Sequence, residues 1–176
     1  MLYFTSLKVN NVIKTEKEEF NVLIKDIIEN SSFRELDSEM HHGISRFQHS
    51  YRVAWGVYKL TKKLHFQYQE ATRAALLHDF YFNYQLEENG DVKNLVEHPS
   101  MAVLNASKYY DLSERQKNMI ESHMFPLCKV MPKYKESFCI TLVDKLVAIY
   151  EQNRYKVGMK LGVYLLFLFN MLTLQK

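Results

Sequence analysis

The chain has 176 residues, 47% hydrophobic and 24% charged, which suits one globular domain with a sizeable core and excludes a disordered chain. Five Gly and three Pro argue against a turn-rich β architecture. A net charge of +3 with His neutral is too weak and too dispersed for a nucleic-acid-binding surface, although it can help attract a phosphate-bearing small molecule.

The expected elements are helices. Phe20, Leu23, Ile24, Ile27 and Ile28 recur at helical spacing and predict a first helix over about Lys17 to Asn30. A polar stretch from Ser38 to Gly43 separates it from a second, about Arg46 to Leu64, with an apolar stripe of Val53, Val57, Leu60 and Leu64. A third covers about Gln69 to Phe82, and Leu86 to Asp91 reads as a turn. A fourth begins at His98-Pro99, with Pro99 at the first helical position, and runs to about Tyr110. Ser113-Glu-Arg-Gln116 has the pattern of a capping box and opens a fifth. Pro126 and Pro132 make Met124 to Lys135 a loop; a sixth helix follows from about Glu136 to Gln152, and an apolar seventh from about 155 to 174. Its most apolar run, Leu161 to Phe169, is shorter than the roughly 20 residues needed to span a bilayer and reads as a buried terminal helix or a homodimer contact. No signal-peptide pattern opens the chain, and Cys128 and Cys139, lacking C-x-x-C spacing, read as reduced core residues, so the expected compartment is cytoplasmic.

The chemistry lies in residues that do not belong on apolar faces. Asp144 stands between Ile140 and Ala148 on the inner side of its helix, where an unpaired carboxylate costs several kcal/mol. Lys145 is about 100° round the helix and badly placed to neutralise it. His49 extends the stripe of the second helix, His78 continues the small face of Ala71, Ala74 and Ala75, His123 follows Met119 and Ile120, and His98 precedes Pro99. Each alone is an ordinary structural histidine. Four on four helices, with the His78-Asp79 dyad and Asp144, instead suit a divalent metal of borderline or hard character. His41, His42 and His65 fall outside this pattern and read as surface or packing residues, while Trp55, Phe80, Tyr81, Phe82 and Tyr84 could stack on a nucleobase, but more often such residues are core.

The order His49, His78-Asp79, Asp144, carried by Arg46-Phe-Gln-His49, Ala74-Ala-Leu-Leu-His-Asp79 and Leu142-Val-Asp-Lys-Leu146, resembles the HD-domain superfamily of metal-dependent phosphohydrolases, and His98 and His123 resemble the extra ligands of its two-metal branch. One departure is Phe80-Tyr81 after the dyad, where many relatives carry a small residue such as Gly. The resemblance implies an all-α, single-domain bundle of six or seven helices over 1–176, with an HD core at about 41–152. It implies one or two divalent ions (Fe, Mn, Co, Ni, Zn or Mg), with His49, His78, Asp79 and Asp144 on the first and Asp79, His98 and His123 on the second. The expected activity is hydrolysis of a phosphoester or phosphoanhydride, such as that of a nucleotide, by a metal-bridged hydroxide. Asp79 would act in catalysis, and Arg46 and Lys145 would bind substrate phosphate. The alternatives are a mixed-valent di-iron oxygenase on the same scaffold and a non-catalytic signalling module. The expected partner is a phosphate-containing small molecule, with no specific nucleic-acid or membrane binding.

Overall fold

The computed structural model describes the backbone over residues 2–41, 43–86 and 91–173, and side chains over 15–40, 43–86 and 96–158. In chain order the elements are α1 (Leu2–Ile28), α2 (Ser31–Arg34), a 3-10 turn (Glu35–Asp37), β1 (Met40–His41), β2 (Ile44–Ser45), α3 (Arg46–Lys63), α4 (Tyr68–Leu77), a second 3-10 turn (Asn83–Gln85), α5 (Asp91–Ser107), α6 (Glu114–Glu121) and α7 (Lys135–Thr173). The fold is all-α apart from the β1–β2 ribbon, whose register pairs Met40 with Ser45 and His41 with Ile44.

The core gathers the inner faces of the helices: Phe20, Ile24 and Ile27 from α1, Val53 and Val57 from α3, Ala71, Ala74 and Ala75 from α4, Ala102 and Ala106 from α5, Met119 and Ile120 from α6, and Ile140 and Val143 from α7. Leu64, placed on the α3 stripe, is 45% exposed because the helix ends at Lys63 and turns away through His65, which has φ 54°. Phe80 and Phe82 join the core, and Trp55 packs at its edge, stacked on Tyr58. Tyr84 is exposed, contrary to its core reading, because it sits on the outer side of a 3-10 turn.

Two close approaches set the frame of the site. A Cβ on Gly56 would lie 2.7 Å from Val143 Cγ1, so the missing side chain lets α3 come tightly against α7. Gly43 closes the β1–β2 turn at φ 85°, and the Tyr155 ring lies where its side chain would be.

Several boundaries differ from expectation. α1 starts at Leu2 rather than Lys17. α4 stops at Leu77, so His78 caps it and Asp79 begins the following turn. His98 and Pro99 lie inside α5, which begins at Asp91; proline removes one N–H donor without ending the helix, since Ala102, Val103 and Ala106 beyond it pack into the core. The sixth and seventh helices are one element, α7, because Asn153 and Arg154 contain no breaker to interrupt it. The capping box at Ser113 forms as read, its hydroxyl accepting from Gln116 N and its N–H donating to Gln116 Oε1. Residues 87–90 of the Leu86 to Asp91 turn, the side chains of His41 and His42, and those of the apolar run after Gly158 lie outside the described residues. Among the described residues no helix is long and apolar enough to cross a membrane. Cys128 and Cys139 are free and buried.

Candidate metal centre

Four elements and the turn after α4 deliver the six side chains to one place. Ser45 caps α3 by accepting from Gln48 N, and His49 stands in the first turn of that helix. His78 and Asp79 leave the end of α4, His98 comes from mid-α5, His123 follows the end of α6, and Asp144 comes from α7. All six are buried.

Their donor atoms form overlapping triads. His49, His78 and Asp79 offer atoms within 4.8 Å of one another, as do His78, His123 and Asp144, and Asp79, His98 and His123. His49 Nε2 lies 3.0 Å and His78 Nε2 3.5 Å from Asp144 Oδ1, while His78 Nε2 lies 3.7 Å from Asp79 Oδ2. On the other oxygen, Asp79 Oδ1 is 3.3 Å from His98 Nε2 and 3.6 Å from His123 Nε2, and those two ring nitrogens are 3.0 Å apart. Asp79 therefore turns one oxygen to each half of the cluster.

The ring orientations are set from behind. His78 Nδ1 lies 2.7 Å from the Ala75 carbonyl and His123 Nδ1 2.7 Å from that of Ile120. A carbonyl only accepts, so each Nδ1 carries a proton and each Nε2 is the ring nitrogen turned toward the cluster. His49 Nδ1 lies 2.8 Å from Glu151 Oε2, and Glu151 accepts at its other oxygen from Arg52 at 2.9 Å. This buried Glu151–His49 pair escaped the sequence reading. Its signal was available: Glu151 lies two turns after Asp144, on the same face of α7.

The charges are coupled. Burial alone disfavours the His49 imidazolium, yet Asp144, Glu151 and Asp79 raise its pKa to about 10. Burial likewise opposes charge on His78, which Asp79 and Asp144 raise overall. Burial would raise the Asp79 carboxyl, but His78, His98 and His123 hold it well below its usual range, and His49 and His78 do the same for Asp144. His123 is pushed down to about 3 by burial and then by His78 and His98, so its ring is neutral at pH 7. The positive partner that Asp144 requires is thus an imidazole pair.

These residues fit a divalent metal. Among the described residues, buried His78 Nε2 and Asp79 Oδ1 have no hydrogen-bond partner, an expensive state for polar atoms unless a cation satisfies them. Metal bonds of about 2.0–2.2 Å at tetrahedral to octahedral angles separate adjacent donors by about 2.8–3.6 Å. The Asp79–His98–His123 triangle has edges of 3.0, 3.3 and 3.6 Å. An HD-domain family model matches residues 46–149.

The chain belongs to the HD-domain family. Comparisons with curated proteins and with solved structures find no match. The HD domain places the chain in a superfamily of metal-dependent hydrolases in general, consistent with its His/Asp clusters.

The two cations assigned to substrate phosphate sit differently. Lys145 is half-buried beside Asp144 and donates to the Phe125 carbonyl at 2.7 Å. Arg46 is only 2% exposed. Its Nη1 donates to the Tyr81 carbonyl at 2.7 Å and lies 3.5 Å from Glu39, and its Nη2 donates to Asn83 Oδ1 at 3.0 Å. A phosphate at Arg46 would have to displace these partners.

Proposed function

We propose that this HD domain is a phosphohydrolase that cleaves a phosphoester or phosphoanhydride of a small molecule, such as a nucleotide, using two divalent ions. The observation that carries the reading is Asp79, whose Oδ2 lies toward His78 and whose Oδ1 lies toward His98 and His123. In this reading His49, His78, Asp79 and Asp144 would hold one ion, and Asp79, His98 and His123 would hold the other. Bound divalent ions supply Lewis acidity toward a phosphoryl oxygen and bring water closer to ionisation at neutral pH.

The chain's own residues do the rest. The Ala75 and Ile120 carbonyls and Glu151 keep three ring nitrogens turned inward, so little reorganisation is needed as substrate charge develops. Burial around the cluster strengthens every charge interaction within it. Lys145, the more exposed of the two assigned cations, neutralises substrate phosphate.

The test is a screen of phosphomonoesters, cyclic dinucleotides and dinucleoside polyphosphates with the full chain loaded with Mn, Fe, Co, Ni or Mg. Phosphate or nucleoside phosphate should be released, with oxygen-18 from water in the phosphoryl product of a single turnover. Lys145→Ala should lower kcat/KM roughly tenfold through the lost charged contact while leaving metal content intact. Oxygen uptake without phosphate release would replace this reading with the oxygenase, and full metal loading with neither activity would favour the signalling module.

A further inference from the structure

The mechanism above leaves Tyr81 and Arg46 without a task. Tyr81 is held at several points. Its N–H donates to the Asp79 carbonyl at 2.8 Å, and its own carbonyl accepts from Arg46 at 2.7 Å. The Arg46 guanidinium carbon lies 3.8 Å from the centre of its ring, a cation–π contact made in a buried setting. The same ring packs on the His98 imidazole, with centroids 4.9 Å apart and planes 33° from each other. Arg46 is fixed in turn by Asn83 and Glu39, and its own N–H donates to the Glu39 carbonyl at 2.7 Å.

We infer that Arg46 and Tyr81 are positioning residues for His98: the guanidinium fixes the Tyr81 ring, and the ring braces the imidazole so that Nε2 stays on Asp79 Oδ1 and His123 Nε2. A glycine at position 81 would leave that face of the imidazole without the ring. The inference rests on the metal-centre reading for its functional consequence, and on the ring contacts alone for its structural one. Arg46 acts on the site through Tyr81, so its burial is what the role requires.

The experiment compares the full-length wild type with Tyr81→Phe, Tyr81→Leu and Arg46→Gln. In metal-free protein, the imidazole resonances of His98, assigned with His98→Ala, should shift in Tyr81→Leu and Arg46→Gln and stay in place in Tyr81→Phe. Calorimetric titration with Mn²⁺ should show the step that His98→Ala abolishes weakened about ten- to a hundredfold in Tyr81→Leu and Arg46→Gln, the range for loss of a ligand-orienting partner. The other step should be retained, and Tyr81→Phe should match the wild type in both. Unchanged His98 resonances in Tyr81→Leu would overturn the brace. So would equal weakening of both steps in Tyr81→Leu, which would reduce Tyr81 to general packing. If His98→Ala alters no metal step, the metal-centre reading fails, and the resonance comparison still decides whether the brace exists. Should Arg46→Gln fail to fold, the two Tyr81 variants decide the outcome.

Discussion

A histidine that serves a metal must present a lone pair, and at His49 the chain controls this through a carboxylate. Glu151 accepts from Nδ1, and Arg52 holds Glu151. Glu151→Gln keeps an acceptor but removes the charge, so metal affinity should fall roughly tenfold, the lower end for loss of a partner that orients a ligating imidazole, as read by competition with a chelator. Protons compete at the same atoms. The His49 pKa, raised to about 10, means that the ring holds a proton at neutral pH which a cation must displace. Metal binding should therefore release protons, and affinity should strengthen as pH rises toward 10 and weaken as it falls. Calorimetry in buffers of different ionisation enthalpy measures that release; no dependence on buffer would contradict the proton assignment.

The helices are tied by polar hubs as well as by the core. Glu19 on α1 accepts from Tyr58 at 2.7 Å and Tyr68 at 2.6 Å and is paired with Lys62, which joins α1 to α3 and α4. Lys62, then Tyr68 and Tyr58, lower the Glu19 pKa from 4.5 to about 2. A depressed carboxyl adds stability that is present above its unfolded pKa and lost as pH falls through the folded one. Glu19→Gln should therefore cost about 1 kcal/mol at pH 7, a value kept small because the hub is about one-third exposed and screened by solvent. The loss of stability that the wild type shows between about pH 4.5 and 2 should flatten in the variant, as urea unfolding across that range would reveal. An unchanged pH profile would mean that the hub forms equally in the unfolded chain.

At the scale of the molecule, a buried cluster of imidazoles and carboxylates assembled from α3 to α7 couples metal binding to folding, because the unfolded chain has no such site. Divalent metal at a hundred times its Kd should stabilise the fold by about 2.7 kcal/mol per site and raise Tm by several degrees, and a chelator should reverse this. Thermal melts with Mn²⁺, then with excess chelator, make the test. Variants lacking Asp79 should lose most of the gain, since its two oxygens face both halves of the cluster.

Local pattern alone made the helices legible: the stripe of α3, the small face of α4 and the capping box at Ser113 act over one or two turns, where periodicity and capping apply. The six side chains that converge were legible too, because imidazoles and a carboxylate on apolar faces need a reason to be there. Tertiary structure decided which atoms meet. His49 and Glu151 are 102 residues apart in the chain, and no local rule foretells that one ring nitrogen will face a carboxylate behind it and the other a carboxylate in front. Arg46 shares its helical turn with His49 in any reading of spacing. Only the packing of Tyr81, Asn83 and Glu39 around its guanidinium leaves it buried and already paired. α5 runs through Pro99, and α7 continues past Gln152, because helix ends answer to packing and hydrogen bonding along the whole element as much as to a single punctuating residue.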